Sequence, residues 1–388
     1  MTATIPYARQ SISQDDIDAV VGVLRSDWVT QGPAIARFEQ GVASYCGVRH
    51  AIAVSNGTAA LHLSCLALGL GRGDALWTSP NTFVASANCA RYCGADVDFV
   101  DIDPLSGNMS VDALAEKLER AARAGKLPKI VVPVHFGGQS CDMQPIGALA
   151  ARYGFRVLED ASHALGAEYR TAKVGSCAYA DLTVLSFHAI KIITSGEGGM
   201  LLTNNDDLAR RVRRLRTHGI TRESAEMQGD SDGPWYYQQI ELGYNDRMTD
   251  VQAALGESQL RRIDAFLVRR RRLAKRYALA LENLPVRPPR EEPYGRSAWH
   301  LYAIQLEPRA SAVSRRTVYE RMRAAGILVN VHYIPVHLQP YYRALGYQEG
   351  DFPAAEGFYA RELSLPMYYG LSDADQDRVC ASLRESLR

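Results

Sequence analysis

The sequence has little net charge and no pattern of cysteines that would indicate a metal site or a disulfide framework. Its 388 residues carry a formal charge of +1, so no overall field attracts nucleic acid or an anionic membrane. The seven cysteines are scattered and lack CxxC spacing, which is typical of reduced thiols. We therefore expect neither a bound metal nor a nucleic-acid partner.

Long apolar segments are missing as well. The chain has no run of about 18 uncharged apolar residues, which a membrane-spanning helix would need. The N-terminal sequence MTATIPYARQ lacks the apolar core of a signal peptide. These absences predict a cytoplasmic protein with no membrane partner. The hydrophobic fraction of 47% is ordinary for a folded protein, and the length is enough for two domains.

What the sequence does contain is an alternation of short apolar runs and helical stretches. Ser13 and Asp16 form a capping pattern that predicts a first helix. Helical segments such as 58–68 and 145–153 then separate the apolar runs, as in βαβ units with a mostly parallel sheet over residues 13–245. Several runs are continuous, as in strands buried on both faces. The predicted strands begin at Ala51, Ala75, Val97, Lys129, Phe155, Leu182 and Gly199.

The second part of the chain has a different pattern. A long helical pattern covers residues 250–285 and carries four consecutive arginines from Arg269, which are usually a solvated helix face. Prolines between residues 285 and 293 then interrupt the chain. We therefore expect a large domain with an N-terminal arm over residues 1–249, a connecting helix over 250–285 and a small C-terminal α/β domain over 286–388.

One predicted strand ends in Ser-Asn-Gly-Thr, directly before a helix. Gly57 allows the backbone to approach a ligand closely, and the free N–H groups at a helix start attract an anion. A phosphate site and a simple helix cap explain this segment equally well when it is taken alone.

Two further segments place a carboxylate and an amine near predicted strand ends. Asp160 ends the run FRVLED, where α/β sheets bind ligands, and could hold a ring nitrogen protonated. Taken alone, it is better explained as a helix cap. Lys191 lies in SFHAIKIITSGEGGM, among small and apolar residues that would desolvate an ammonium and lower its pKa. A lysine by itself is more often a surface residue.

Together, the three segments supply an anion site, a carboxylate and a lysine 31 residues beyond that carboxylate. Pyridoxal phosphate needs this set, because it has a phosphate, a pyridinium nitrogen and an aldehyde that an amine captures. A flat side chain should also stack on its ring. Phe83 follows another predicted strand in SPNTFVASAN and is the candidate, with core packing as the alternative.

At these residues, the sequence closely resembles the sugar aminotransferases of the DegT/DnrJ/EryC1/StrS family. The resemblance runs nearly end to end and includes SNGTAALHL, PNTFVASAN, EDASHALGAEY, SFHAIKIITSGEGGMLLTN, LRTHGITRE, VHYIPVHLQPYY and ELSLPMYYGLSDADQDRV. It implies the type I, aspartate aminotransferase-like α/β fold and a homodimer with shared active sites. It also implies pyridoxal 5'-phosphate as cofactor, L-glutamate as amino donor and a nucleotide-sugar substrate.

The resemblance also assigns roles to matching residues. Lys191 would form the Schiff base and move protons during amino transfer. The other cofactor contacts would be Gly57, Thr58 and Ser186 at the phosphate, Asp160 at the ring nitrogen, Phe83 on the ring, His163 near the phenolic oxygen and Asn245 from the neighbouring subunit. Substrate contacts would come from Tyr7, Asp27, Trp28, Val29, Thr30, Gly57, Ser186, Asn245, Asn330, Val331, His332 and Tyr333.

Within the family, the lysine segment and the WYYQQ…LGYN stretch are most similar to the pseudaminic-acid branch. That branch aminates C4 of a UDP-linked 4-keto-6-deoxy N-acetylhexosamine. Other members aminate C3 or C4 of keto sugars carried by UDP, dTDP or GDP, which is the main alternative. A related class dehydrates or deoxygenates sugars, and Lys191 argues against it because some of its members have histidine there. A non-enzymatic, pyridoxal-binding regulatory protein is a further alternative, against which the joint presence of lysine, aspartate and phosphate segment argues.

Overall fold

The computed structural model describes residues 4–307 and 313–388 and has an α/β architecture. The strands are β1 (Ile5–Pro6), β2 (His50–Val54), β3 (Ala75–Thr78), β4 (Asp96–Phe99), β5 (Ile130–Val132), β6 (Arg156–Asp160), β7 (Glu168–Tyr169), β8 (Ala172–Lys173), β9 (Leu182–Ser186), β10 (Gly199–Thr203), β11 (Ile220–Thr221), β12 (Gln238–Gln239), β13 (Val286–Arg287), β14 (Gly295–Arg296), β15 (Tyr302–Leu306), β16 (Ile327–Leu328) and β17 (Glu362–Leu365). The helices are α1 (Gln14–Leu24), α2 (Pro33–Cys46), α3 (Gly57–Ala67), α4 (Ala85–Tyr92), α5 (Val111–Ala124), α6 (Met143–Tyr153), α7 (Asp206–Leu215), α8 (Asp250–Leu260), α9 (Ile263–Leu281), α10 (Arg315–Ala324), α11 (Pro340–Arg343), α12 (Pro353–Arg361) and α13 (Asp373–Ser386).

A seven-stranded sheet in the order β2-β10-β9-β6-β5-β3-β4 forms the centre of the large domain. All seven strands predicted from the apolar runs are in it. β10 is antiparallel to both of its neighbours, and the other pairs are parallel. Neighbouring side chains on β9, Val184 and Leu185, are fully buried in different hydrophobic cores on the two faces. Burial on both faces explains why these strands appear as continuous apolar runs.

Strand register brings separate ligand-binding segments to one edge of this sheet. Gly199, at the start of β10, pairs with Val54 at the end of β2 and with Ser186 at the end of β9. The start of α3 therefore lies beside Ser186. Asp160, which ends β6, pairs with Val184 and reaches the same edge.

The C-terminal part has its own core around the sheet β13-β15-β17. Ile5 packs in this core, and β1 pairs in parallel with β16. The N-terminal arm, which we expected to belong to residues 1–249, thus lies on the small domain. No helix among the described ranges is long and apolar enough to cross a membrane.

The connecting segment differs from the single helix expected over residues 250–285. α8 ends at Leu260, and α9 begins at Ile263. Arg262 between them leaves the helical conformation, and its guanidinium forms an ion pair with the buried Asp16 of α1. The break between the two helices therefore coincides with a residue that pairs with this buried carboxylate.

The expectation of a solvated arginine face was also wrong, most clearly for Arg270. Arg270 is buried and donates from Nη1 to the carbonyl oxygens of Trp299, His300 and Met367, at 2.9, 3.3 and 3.1 Å. Burial lowers the pKa of its guanidinium to about 10. Arg270 therefore joins α9 to the segments that pack behind the cavity described next.

Candidate active site

A cavity of about 800 Å³ opens where the parallel strands of the large sheet end. Its walls come from the starts of α3 and α4, from the ends of β6 and β9, and from residues 330–333 of the small domain. The carboxyl ends of parallel strands are the usual ligand-binding edge of such sheets. The lining includes the chemically reactive side chains of Lys191, Asp160, His163, His300 and His332.

Lys191 lies in the turn after β9, where its backbone N–H donates to the carbonyl of His188 at 3.0 Å. The next two residues, Ile192 and Ile193, are buried and anchor the turn. Burial lowers the pKa of the Lys191 ammonium to about 8, although the negative charge of Asp160 acts in the opposite direction. About one tenth of this amine is therefore neutral, and nucleophilic, at pH 7, far more than for an ordinary lysine.

Asp160 is held by two hydrogen bonds. Ser86 Oγ, at the start of α4, donates to Asp160 Oδ2 at 2.7 Å, and the Ser162 backbone N–H donates to Oδ1 at 3.1 Å. Thr82 Oγ1 lies 2.8 Å from Ser86 Oγ and completes a short polar chain. Ser86 is buried, so this orientation is shielded from water. The carboxylate is thus fixed at the edge of the sheet.

The start of α3 forms a shallow anion cradle. Asn56 caps the helix, with Oδ1 accepting from the Ala59 N–H at 2.8 Å. Gly57 leaves room that a side chain would fill, since a Cβ there would lie 3.1 Å from Ser186 Cβ and 3.3 Å from its Oγ. Thr58 lines the cavity beside it. Backbone N–H groups at a helix start, together with a serine hydroxyl, are suited to a phosphate.

Aromatic rings and imidazoles also line the cavity. His163 Nε2 lies 3.2 Å from the hydroxyl of Tyr333, and its ring centroid is 4.4 Å from that of His300. Burial and the charge at Lys191 hold the pKa of His163 well below its usual range, so its ring is neutral. Phe83 is 59% exposed, and its ring lies 6.4 Å from Tyr333. This exposure argues against the core-packing alternative for Phe83.

Comparison with known proteins identifies the chain. A model of the DegT/DnrJ/EryC1/StrS aminotransferase family matches residues 10–384. The chain belongs to this family. Spore coat polysaccharide biosynthesis protein SpsC of Bacillus subtilis (strain 168) is 41% identical over 387 residues, covering 99% of this chain and 97% of SpsC.

Solved structures agree with the family assignment. Helicobacter pylori PseC, an aminotransferase involved in the biosynthesis of pseudoaminic acid, is 29% identical, with 99% of each chain covered and a TM-score of 0.90. Streptococcus pneumoniae Spr1654 in its PMP form is 29% identical, with 98% of each chain covered and a TM-score of 0.89. The protein is therefore a sugar aminotransferase, and pyridoxal phosphate is its cofactor.

The residues of this aminotransferase fit that cofactor. Gly57 leaves the cradle open, Lys191 faces the cavity as a readily deprotonated amine, and Asp160 offers a fixed carboxylate. The buried Nδ1 of His163 has no hydrogen-bond partner within residues 4–307 and 313–388. The site thus offers an open cradle, an amine, a carboxylate and a polar ring atom of His163 without a partner to a phosphorylated aromatic aldehyde.

The cavity brings together most of the site residues predicted from the sequence. Those that line it are Tyr7, Gly57, Thr58, Phe83, Asp160, His163, Ser186, Lys191, Asn330, Val331, His332 and Tyr333. Their individual roles stay predictions.

Five predicted contacts do not line the cavity of this chain. Asp27, Trp28, Val29 and Thr30 are exposed, and Asn245 is exposed in a bridge with Thr217.

Sequence reasoning missed other residues of the cavity, including Asn56, Ser86, Ser162 and His300. Asn56 could have been found from its position before a helix start, where asparagine is a common cap. Ser86 and His300 carry no such signal. Their relation to the site depends on how α4 and the segment before β15 pack against the ends of the parallel strands.

Proposed function

We propose that this aminotransferase moves the amino group of L-glutamate to C4 of a UDP-linked 4-keto-6-deoxy N-acetylhexosamine (UDP-2-acetamido-2,6-dideoxy-β-L-arabino-hexos-4-ulose), in pseudaminic acid biosynthesis. The observation that carries the chemistry is Lys191, an amine of lowered pKa in the same cavity as the fixed carboxylate of Asp160. Support for the sugar comes from the likeness to H. pylori PseC. A different UDP-, dTDP- or GDP-linked 3- or 4-keto sugar is the alternative.

The side chains divide the work of amino transfer. Bound pyridoxal phosphate supplies an electrophilic carbon and an electron-withdrawing ring. The Nζ of Lys191, as a neutral amine, removes the Cα proton of glutamate and delivers a proton to C4 of the sugar in the second half-reaction. The Asp160 carboxylate would hold a proton on the ring nitrogen of the cofactor, and Ser86 and Ser162 keep that carboxylate oriented. Because one product leaves before the second substrate binds, ping-pong kinetics result.

The substrate is tested with a panel of nucleotide-linked keto sugars and L-glutamate, scored by the 2-oxoglutarate released. We expect the UDP-linked 4-keto sugar to have the highest kcat/KM among the sugars of the panel. A preference for dTDP-linked 3-keto sugars would contradict the assigned sugar and leave the family assignment intact. Pocket contacts that differ by one hydrogen bond can change such preferences strongly, so the panel should include both ring positions.

We further propose a homodimer in which Asn245, and the exposed segment 27–30, complete the partner's cavity. The support is that these residues match family contacts, are exposed, and do not line the cavity of their own chain. Light scattering after size-exclusion chromatography should give twice the 42.8 kDa chain mass. A monomer with full activity would exclude shared sites. The cytoplasmic location stays a prediction from the sequence.

A further inference from the structure

Three exposed side chains mark the mouth of the cavity. Phe83, His188 and Glu197 are exposed, whereas every other described residue of the lining is buried or half-buried. His188 and Glu197 belong to the loop of residues 187–198 between β9 and β10, which also carries Lys191. This one loop therefore reaches from the reacting amine to solvent, and Glu197 is the carboxylate at its solvent end.

The backbone of Glu197 is fixed by its neighbours. Its carbonyl oxygen accepts hydrogen bonds from Ser195 Oγ and from Gln252 Nε2, both at 2.9 Å. Gln252 is itself held at the start of α8, because its Oε1 accepts from the Thr249 backbone N–H at 3.0 Å. On the other side, Gly198 is packed so closely that a Cβ there would collide with Ser195 Oγ. These contacts fix the point at the mouth from which the Glu197 side chain extends.

The carboxylate of Glu197, in contrast, makes no hydrogen bond to any residue that the structure describes. The charged group within reach of it is His188, whose Nε2 lies 4.0 Å from Glu197 Oε1. That separation is too long for a hydrogen bond, and ion pairs between side chains as exposed as these contribute little to stability. The acceptor capacity of the carboxylate is therefore available to a ligand.

The chemistry of a carboxylate selects between the two substrates of a sugar aminotransferase. A carboxylate accepts hydrogen bonds and donates none. Glutamate brings two carboxylates, which a negative charge repels, and one amino group, which must lie beside Lys191 to react. A nucleotide-linked sugar brings several hydroxyls, on its ribose and on its hexose. The ligand group that suits Glu197 is therefore a sugar hydroxyl.

The position of Glu197 at the mouth favours the same substrate. The keto carbon of the sugar reacts beside Lys191, so the rest of this larger substrate must extend toward solvent and past the mouth. A hydrogen bond made so far from the reacting carbon is equally strong in the ground state and in the transition state. Such uniform binding lowers KM and leaves kcat unchanged.

We propose that Glu197 is a specificity-determining residue of the nucleotide-sugar half-reaction, in which its carboxylate accepts a hydrogen bond from a hydroxyl of that substrate. The amino donor makes no such contact. The inference rests on the proposed function only in that the second substrate is a nucleotide-linked sugar, and it applies to whichever hexose reacts.

The first test compares the apparent KM of the two half-reactions, each followed by cofactor absorbance, with the sugar that the panel selects. Glu197→Ala should raise KM for the sugar about tenfold or more, which corresponds to one hydrogen bond to a charged group, and leave kcat unchanged. Glu197→Gln keeps an acceptor oxygen and should raise KM less. Neither variant should raise KM for glutamate. Glu349→Gln, at an exposed glutamate outside the cavity, is the matched control and should behave as the wild type.

The second test assigns the hydroxyl to the ribose or to the hexose. UDP carries the ribose without a hexose, and its Kd for the enzyme in the pyridoxamine form is measured by calorimetry. Weaker binding of UDP by Glu197→Ala, by the same factor as the rise in KM, assigns the contact to the ribose. Unchanged UDP binding with a raised KM for the sugar assigns it to the hexose. If the wild type does not bind UDP, the proposed carrier is wrong, and the nucleotide of the selected sugar takes its place.

Two kinetic results and one mass would overturn the inference. An equal KM for the sugar in Glu197→Ala and in the wild type would refute the contact. An equal rise in KM for both substrates would indicate a general structural effect instead. A monomer mass for Glu197→Ala in light scattering would show that Glu197 serves a contact between subunits.

The proposed function can fail separately. Turnover of dTDP-linked 3-keto sugars alone would contradict the proposed sugar, but the comparison of the two half-reactions would still decide the role of Glu197. If no sugar of the panel reacts, the proposed function fails, and unchanged binding of UDP by Glu197→Ala would then refute the inference as well.

Discussion

Replacing Ser86 by alanine tests whether the orientation of Asp160 matters for amino transfer. The serine hydroxyl donates to Asp160 Oδ2 at 2.7 Å, and it is one of two donors to that carboxylate among the hydrogen bonds described. A hydrogen bond to a charged, buried group is worth about 1.5–3 kcal/mol. If this energy is available at the transition state, Ser86→Ala should lower kcat/KM of the glutamate half-reaction roughly 10- to 150-fold.

The assay is single-turnover absorbance of the cofactor after mixing with glutamate, with urea unfolding measured in parallel. Ser64→Ala is the control, because Ser64 is equally buried and its hydroxyl has no hydrogen-bond partner within the described ranges. Ser86→Thr keeps a hydroxyl and should recover part of the rate. Equal kcat/KM for the Ser86→Ala and Ser64→Ala proteins would refute the reasoning that this hydrogen bond tunes Asp160.

Three further predictions concern the amine, the cradle and a buried cation. Borohydride reduction should attach the cofactor to Lys191 but not to the Lys191→Ala protein, which should lack turnover. The rate at which the apo protein binds the cofactor covalently should rise with pH to a plateau above about 8, because only the neutral amine attacks. Full transamination by Lys191→Ala would contradict its role. Gly57→Val should fill the cradle beside Ser186 and weaken cofactor binding about tenfold or more in equilibrium dialysis, whereas Gly22→Val, in open space, should not. Arg270→Ala should lower the free energy of unfolding by roughly 2–4 kcal/mol in urea, because it removes the charged donor of three carbonyls. If Arg316→Ala, at an exposed arginine, lowers it by a similar amount, these hydrogen bonds contribute little.

Local patterns in the sequence predicted much of the fold. The seven apolar runs became the seven strands of the large sheet, because a strand buried on both faces must be apolar at every position. The helix before them begins as its capping pattern predicts, with the Ser13 backbone N–H donating to Asp16 Oδ2 at 2.8 Å. Such features depend on residues close in the chain, and the sequence displays them directly.

Other features depend on contacts between residues distant in the chain, and local sequence patterns do not predict such contacts. Arg262, in the break between α8 and α9, pairs with Asp16. The buried Arg270 donates to three carbonyls, those of Trp299, His300 and Met367. A run of arginines looks the same in the sequence whether its side chains face water or donate to buried backbone carbonyls. The expectation of a solvated face therefore failed at Arg270, and also at Arg269, whose guanidinium donates to the Leu371 carbonyl and pairs with Asp373.

The candidate site divides in the same way. Gly57, Asp160 and Lys191 became candidates as a set, because the three segments together match the needs of one cofactor and resemble one family, and because ligands bind at strand ends in α/β sheets. Tertiary structure alone placed Ser86 on Asp160, set His300 beside His163, and connected Glu362 through Ser364 to His332. The sequence determined which reactive groups the chain carries and where its strands end. The order of the strands and the packing of the small domain determined which hydrogen bonds hold those groups, because each bond joins atoms whose distance is set by the whole fold.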